Sequence, residues 1–332
     1  MNASVSETPE PVVALPDIHA IRAAAARIAG HARVTPVMRS DALDALTGAR
    51  LHFKCEHLQR GGAFKFRGAC NAVWSLREDE VERGVVTHSS GNHGLALALA
   101  SATRGMQAHI VIPEGAVRSK VEAIEAVGAR IHRCAPTQAA RDAMAARIRV
   151  QTGALLVHPY ADTRVIAGQG TLALELLGNT PLLDVLLTPV GGGGLAAGVA
   201  IAAHALVPGM AMVAAEPAGA DDAARSLAAG RRITDVVPDT CCDGLRATIG
   251  APNLEALQRH RTQVLIVDDA QTIKAMRLLW QHLKQVVEPS SATVLAAVIA
   301  YPQVFAGRRI GVVLTGGNID MDALSWGHAA RD

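Results

Sequence analysis

Lys65 stands between Phe64 and Phe66 in Gly-Gly-Ala-Phe-Lys-Phe-Arg-Gly-Ala (61–69), at a helix start. Aromatic neighbours strip water from an amine. That lowers its pKa and makes it a better nucleophile toward a carbonyl. A solvated surface lysine is the plainer alternative and, taken alone, the commoner one. Pro-Val-Gly-Gly-Gly-Gly (189–194) follows an apolar run and opens an alanine-rich helix. Gly191, Gly192, Gly193 and Gly194 let the backbone approach an anion, and their N–H groups with the helix start form a phosphate cradle. Four glycines cost backbone entropy if nothing needs them, so phosphate binding outweighs a merely flexible turn. The run is neither GxGxxG nor GxxxxGK[ST], which argues against a dinucleotide or a P-loop triphosphate. Ser-Ser-Gly-Asn-His-Gly (89–94) offers hydroxyl, amide and backbone donors at another helix start. That suits a carboxylate, but simple capping by Ser90 or Asn92 explains it equally well. His93 alone reads as a packed or capping histidine. Glu-Pro-Ala-Gly-Ala-Asp-Asp (216–222) and Thr-Gly-Gly-Asn (315–318) also follow β-type runs. The first is an acidic loop before a helix, and the second reads as an ordinary strand-ending turn.

These stretches need elements to hold them. From about residue 50, short β-type runs (51–57, 85–90, 108–113, 129–135, 154–159, 184–190, 210–217, 262–268 and 309–317) alternate with helical runs. The helices are read at 67–76, 95–104, 120–127, 138–150 and 170–177. Such alternation implies βαβ crossovers and parallel sheets covered on both faces. In open parallel sheets ligands bind beyond the carboxyl ends of the strands, where these loops lie. No fixed-period repeat is visible, and no Ser/Pro-rich linker separates two halves. Two domains therefore imply that the chain passes between them more than once.

Composition excludes several classes. The chain has 332 residues, 50% hydrophobic and 19% charged, so it is not disordered and can bury a sizeable core. Its net charge is +2, with 32 Lys and Arg against 30 Asp and Glu, which leaves no basic excess for nucleic acid. Aromatic residues are only 3%, too few for a base-stacking platform. The five cysteines, Cys55, Cys70, Cys134 and the adjacent Cys241 and Cys242, show no metal-type spacing and no disulfide framework. A reducing cytoplasmic setting is expected. Residues 1–15 lack a signal peptide's pattern and read as a mobile tail, as do the last few residues. The longest uncharged run, between Asp184 and Glu216, is broken by the glycines, Pro189 and Pro208, so it reads as strand, loop, helix and strand rather than a membrane span.

Together the segments resemble the fold-type II pyridoxal phosphate enzymes, within them the serine racemase and serine/threonine dehydratase group. The resemblance runs from about Ile18 to Leu324 and includes His-Pro-Tyr…Val-Ile-Ala-Gly-Gln-Gly-Thr (158–171) and Val-Val-Glu-Pro-Ser-Ser-Ala (286–292). It implies an α/β fold of two open parallel-sheet domains, tryptophan synthase β-like, with the cofactor in the cleft between them. The large domain would comprise 16–80 and 162–330, and a small mobile domain 81–161. Lys65 would bind pyridoxal 5′-phosphate as an internal aldimine. Phe64 would flank one face of the ring and Gly244 lie near the other. Asn92 would hydrogen-bond the 3-hydroxyl, Gly191–Gly194 hold the phosphate, Thr315 meet the pyridine nitrogen and Glu288 sit close by. Ser89, Ser90, Asn92 and His93 would bind the substrate carboxylate. Arg141 falls where the family has an arginine near the active-site mouth, to receive a second carboxylate or to remain a solvated helix residue. Glu216, the carbonyl of Ala220 and Asp222 match a site for Mg²⁺ or Ca²⁺, against the plainer reading of a capping loop.

The implied reaction is dehydration and deamination of a β-hydroxy amino acid such as L-threonine or L-serine to a 2-oxo acid and ammonia. Serine racemisation with elimination as a side activity, or 3-hydroxyaspartate dehydration, are the alternatives. Ser90 matches the serine that in racemases protonates the second face, where many dehydratases carry alanine. Ala63 stands where serine is common before the Phe-Lys pair. Tyr160 and Ala161 replace nucleotide-contacting residues of the animal racemases, so ATP activation is not implied. A non-enzymatic cofactor-binding or sensing protein is the contrasting class, and Lys65, Ser90 and Asn92 together argue against it. The resemblance also implies a homodimer acting on a small amino acid, with no nucleic-acid or membrane partner.

Overall fold

The computed structural model describes residues 14–89, 91–116 and 118–320. Ser90, most of the segment read as an N-terminal tail and the C-terminal residues from 321 lie outside them. Of that tail, Ala14 and Leu15 are described. The Ala14 carbonyl accepts from Thr163 Oγ1 at 3.1 Å, and Leu15 packs on the core.

The chain opens with α1 (Ile18–Ile28), β1 (Val37–Met38), α2 (Asp41–Thr47) and β2 (Arg50–Cys55). After α3 (Lys65–Trp74) and the single turn α4 (Glu78–Val81) comes a second layer. It is built of β3 (Val85–His88), α5 (Asn92–Thr103), β4 (Ala108–Pro113), α6 (Arg118–Glu125), β5 (Arg130–Cys134), α7 (Gln138–Thr152) and β6 (Leu155–Leu156). The chain returns through α8 (Thr163–Gly178), β7 (Val185–Pro189), α9 (Gly194–Leu206), β8 (Ala211–Pro217), α10 (Asp222–Ala229) and α11 (Ala251–Arg259). It ends with β9 (Gln263–Val267), α12 (Asp269–Leu278), α13 (Pro289–Ala300), α14 (Pro302–Phe305) and β10 (Arg309–Leu314).

Two sheets result. One has the order β1-β2-β10-β7-β8-β9, the other β5-β4-β3-β6. All pairings are parallel except that of β1 with β2, an antiparallel edge the alternating pattern did not announce because it spans only two residues. The strands read as continuous apolar runs because both faces are covered. In the six-stranded sheet Leu51, Phe53, Leu187, Val213 and Val312 pack toward α12 and α13. Leu186, Met212 and Val313 face α1, α8 and α9. In the four-stranded sheet Ile110 and Ile112 face α3 and α5, and Val86 and Val111 face α7. The uncharged run from 185 onward is β7, a glycine loop, α9 and β8, as its glycines and prolines require. Among the described residues no helix is long and apolar enough to cross a membrane.

α8 starts at Thr163, seven residues earlier than the sequence pattern placed it, with Asp162 capping the Arg164 amide at 2.8 Å. Gly168 and Gly170 disguise it, since glycine is a poor helix former. Their smallness is required by contacts. A Cβ on Gly168 would lie 2.6 Å from Gly68 Cα of α3, and one on Gly170 2.7 Å from the Gly198 carbonyl oxygen of α9. A Cβ on Gly198 would meet the Ile166 carbonyl oxygen at 2.3 Å. An exposed helical Gly→Ala change gains up to about 1 kcal/mol from propensity, but overpacking of a close contact costs about 1–3 kcal/mol. Gly168→Ala and Gly198→Ala should therefore lower the urea midpoint. Gly178→Ala, at the open end of α8, should leave it level or raise it.

Candidate active site

The carboxyl ends of β2, β10, β7 and β3 converge on one cleft. After β2 the chain runs through Gly62 (φ 71°) to Phe64, pairing with the loop that follows β10. The Phe64 amide donates to the Thr315 carbonyl at 2.9 Å and the Gly317 amide to the Gly62 carbonyl at 3.0 Å, with a bridge between Ala63 and Gly316. Lys65 and Thr315 are thus placed by the same few backbone bonds. Lys65 Nζ lies 5.1 Å from the Phe64 ring centre and donates to the Pro159 carbonyl at 3.1 Å. Burial lowers its pKa to about 8 against an opposing pull from the Glu288 carboxylate. Of its two flanking phenylalanines, Phe64 is the one beside the amine. Phe66 points into the core under the Arg60 guanidinium, 4.9 Å from its ring centre.

Pro159 links the amine to the glycine loop. Tyr160 packs its ring against Gly192, where a Cβ would come within 2.5 Å of it. Asn253 Nδ2 donates to the carbonyls of Tyr160 (3.0 Å) and Gly192 (2.5 Å). Gly193 has φ 86°, and a Cβ on Gly191 would lie 2.8 Å from Leu245 Cα. Among the described residues the amides of Gly191–Gly194 have no acceptor. The N-termini of α3, α5, α9 and α13 all carry no side-chain cap, whereas α1, α2, α7, α8 and α12 are capped by Asp17, Ser40, Thr137, Asp162 and Asp268. Uncapped helix starts leave amide donors and positive dipole ends facing the cleft, which suits a bound dianion.

Across the cleft Glu288 and Asn92 hold each other. Asn92 Nδ2 donates to Glu288 Oε1 and Oε2 at 2.9 and 3.0 Å, and Asn318 Nδ2 donates to Asn92 Oδ1 at 2.9 Å. Burial raises the Glu288 pKa to about 7, with the Asn92 hydrogen bond opposing. Gly316 has no room for a side chain, because a Cβ would meet the Glu288 carboxylate at 2.5 Å. The Gly244 amide donates to Ser290 Oγ at 3.0 Å, and its α-carbon lies on the same side as Glu288. Thr315 is buried, and its hydroxyl makes no hydrogen bond to the described protein. The cradle, the buried amine and the unpaired hydroxyl fit a phosphorylated aromatic aldehyde. The chemistry of that group is what these residues lack.

Ser89, His93 and Arg141 lie near the end of β3. Ser89 Oγ accepts from the Gly91 amide at 3.4 Å. His93 is buried, with no partner for either ring nitrogen among the described residues. Burial first, then the Lys65 charge, hold its pKa well below the ordinary value. The Val157 backbone lies close but short of hydrogen-bond geometry. His93 is therefore neutral, and can offer a substrate a hydrogen bond but no charge. His158 is likewise held neutral, its pKa near 4 through burial and then His88. Arg141, in the first turn of α7, is half-buried, and its Nε has no acceptor among the described residues. The adjacent Asp142 lies 3.5 Å from His88.

Glu216 and Asp222 sit on the far side of β8. Glu216 is fully buried and accepts from the Ala223 and Ala224 amides at 2.8 and 2.9 Å. Asp222 accepts from the Ile249 amide at 2.7 Å. Burial raises their pKa values to about 8 and about 6. Glu216 caps α10 through those two amides, while Asp222, the first residue of α10, feels the Asp221 carboxylate and the opposing Arg232 guanidinium. Among the described residues no backbone amide outside the helices donates to the Ala220 carbonyl. Such a donor set fits a divalent cation.

The pattern of the family described as pyridoxal-phosphate dependent enzyme matches residues 28–316. The chain belongs to that family. Among curated relatives of this pyridoxal-phosphate enzyme is a β-hydroxyaspartate dehydratase of Paracoccus denitrificans (strain Pd 1222), 43% identical over 94% of this chain and 99% of that protein. A serine racemase of Arabidopsis thaliana is 44% identical over 93% of this chain and 95% of that protein. The solved structure of maize serine racemase superposes with a TM-score of 0.90 at 43% identity, covering 93% of this chain and 95% of that one. The fold is thus fold type II, and the cofactor pyridoxal phosphate. Residues that sequence reasoning left without a role in holding the cleft are Pro159, Asn253, Ser290 and Asn318. Pro159, Ser290 and Asn318 lie in His-Pro-Tyr, Val-Val-Glu-Pro-Ser-Ser-Ala and Thr-Gly-Gly-Asn, stretches the sequence already marked, whereas Asn253 lies in none.

An amine with a pKa of about 8 becomes nucleophilic as pH rises through that value. Reductive methylation of Lys65 in cofactor-free protein, followed by peptide mass spectrometry, should reach half its limiting rate near pH 8. Glu288→Gln removes the charge that favours the ammonium, so the half-point should move to lower pH.

Proposed function

We propose that this pyridoxal-phosphate enzyme dehydrates and deaminates a β-hydroxy amino acid to a 2-oxo acid and ammonia, with a 3-hydroxyaspartate as preferred substrate over L-serine or L-threonine. The carrying observation is that, besides the desolvated Lys65 amine, a half-buried Arg141 guanidinium nitrogen beside His88 has no acceptor among the described residues. The likeness to the Paracoccus dehydratase points the same way. When bound, pyridoxal phosphate supplies an aldehyde that takes up the substrate amine and a ring that spreads negative charge from Cα. Gly191–Gly194 and the start of α9 would hold its phosphate, and Phe64 and Gly244 its two faces. Asn92 would meet its 3-hydroxyl and Thr315 its ring nitrogen.

Lys65 Nζ would take the Cα proton of the bound substrate. Its depressed pKa keeps a useful fraction as free amine near neutral pH. A neutral hydroxyl at Thr315, rather than a carboxylate, would leave the ring nitrogen of that group largely unprotonated and so favour prompt loss of the β-hydroxyl as water. The enamine product then tautomerises and hydrolyses. Ser89, Ser90, Asn92 and His93 would bind the substrate's α-carboxylate, with His93 a neutral donor. Arg141 would take the second carboxylate. In this reading 81–161 is a small domain that closes on 16–80 and 162–330, and Lys120 of α6, paired with Asp243, is one contact across the closure. The homodimer belongs to the same reading. It is supported by exposed Leu46 and Trp280 on neighbouring elements, tied by Ser40 Oγ to the His282 carbonyl. We also place Mg²⁺ or Ca²⁺ on Glu216, Ala220 and Asp222.

A second reading, serine racemisation with elimination as a side reaction, is favoured by likeness to the Arabidopsis and maize racemases and by Ser90. One incubation series separates them, following 2-oxo acid release and amino-acid chirality for L-serine, D-serine, L-threonine and the 3-hydroxyaspartates. Lys65→Ala should abolish every turnover. Ser90→Ala should remove racemisation and spare elimination. Arg141→Ala should raise KM for 3-hydroxyaspartate about 10–100-fold, the scale of a hydrogen bond to a charged group, and far less for L-serine. Equal effects on both substrates would remove Arg141 from recognition.

The cation has its own test. Mg²⁺ at about a hundred times its Kd should stabilise the protein by about 2.7 kcal/mol, read as a rise in Tm that a chelator reverses. Glu216→Gln should abolish the response.

A further inference from the structure

Cys241, Cys242 and Asp269 take no part in the chemistry above. Both Sγ atoms and an Asp269 carboxylate oxygen nevertheless lie within 4.8 Å of one another. Adjacent cysteines have no metal-type spacing in sequence. The third group arrives from the first turn of α12, on the far side of β9. Several bonds hold the trio in place. Thr240 Oγ1 donates to Asp269 Oδ1 at 2.5 Å, the Cys241 amide to Asp269 Oδ2 at 2.7 Å, and the Cys242 amide to Thr240 Oγ1 at 3.1 Å. Arg246 anchors the Thr240 carbonyl with two further bonds, at 3.1 and 2.5 Å. Each Asp269 oxygen keeps a second lone pair. Cys242 is fully buried, while Cys241 and Asp269 are half-buried and open a way in.

Two neighbouring thiols invite oxidation or chelation. Consecutive Cα atoms lie about 3.8 Å apart across a trans peptide, short of the roughly 4.4–6.8 Å that a disulfide spans without distortion. Chelation needs no such distortion, because the ion spaces the sulfurs. Two thiolates with one carboxylate select a soft or borderline ion over Mg²⁺ or Ca²⁺ and leave a fourth tetrahedral position for water. The remaining cysteines, Cys55, Cys70 and Cys134, are each buried. We propose that Cys241, Cys242 and Asp269 form a binding site for a thiophilic divalent cation, zinc or cadmium. The site borders the cleft, since the next two residues are Asp243, paired with Lys120, and Gly244, bonded to Ser290. It is distinct from the oxygen ligands at Glu216 and Asp222.

Cadmium is the probe, added to reduced holoenzyme in excess Mg²⁺, because an oxygen site gives no thiolate charge-transfer absorbance. That absorbance should saturate at about one cadmium per chain and release about two protons as the thiols ionise. Zinc should displace the cadmium and erase the band. Cys241→Ser, at the half-buried position, should lose it while keeping the cofactor absorbance that marks a folded holoenzyme. Asp269→Asn should weaken binding about tenfold or more. No band in the wild-type protein at stoichiometric cadmium, or an undiminished band in Cys241→Ser, would overturn the site. Unchanged affinity in Asp269→Asn would overturn the carboxylate as third ligand.

Discussion

Three helix backbones touch in this fold, and the reactive groups keep their spacing because of it. α3 carries Lys65 at its start, α9 begins at the last glycine of the phosphate cradle, and α8 lies between them. Gly68, Gly168, Gly170 and Gly198 remove the side chains that would push these helices apart. Any larger residue there widens the gap between the amine and the cradle. The contact is locked by charge. Arg67 of α3 forks onto Glu56 at 2.8 Å and onto Glu175 of α8 at 2.7 Å, and Lys54 of β2 joins Glu175. Arg67 and Glu56 are fully buried. Losing one partner of such a pair strands a charge, at a cost of about 3–5 kcal/mol. The network therefore fixes one orientation of α3 more than it adds stability.

The cleft is electrostatically unfinished in a consistent way. The starts of α1, α2, α7, α8 and α12 are capped by their own N-cap side chains, while those of α3, α5, α9 and α13, which face the cleft, are not. Burial holds His93 neutral, brings Lys65 down to about 8 and lifts Glu288 to about 7. Those shifts have one cause, exclusion of water, and leave an amine and a carboxyl group whose proton affinities nearly meet. The backbone bonds joining Gly62–Phe64 to Thr315–Gly317 keep that balance from depending on flexible side chains.

Much of the fold was legible because parallel strands covered on both faces write continuous apolar runs. The glycine runs and charged punctuation between them then mark the loops. Where the reading slipped, a tertiary contact had overruled local preference. α8 was read short because its glycines serve its neighbours. The run 154–159 was read as a strand, but only Leu155–Leu156 pair, because the chain must turn to deliver Pro159 and Tyr160 to the cleft. Phe66 was read as a partner of Lys65, but a helix start sends consecutive side chains in different directions.

By itself the sequence determined the kinds of group available and their order: a lysine between phenylalanines, a four-glycine loop, a serine–asparagine turn, and the family they resemble. Those properties are local, carried by residue type and spacing of a few positions. The tertiary structure decided which groups meet. It set Asn318 on Asn92 and Asn92 on Glu288, put Pro159 over the Lys65 amine, aimed Arg67 at two carboxylates and brought Asp269 to the Cys241–Cys242 pair. Each of these contacts joins segments far apart in the chain. Their distances follow from sheet order and helix packing, and no window of sequence contains them.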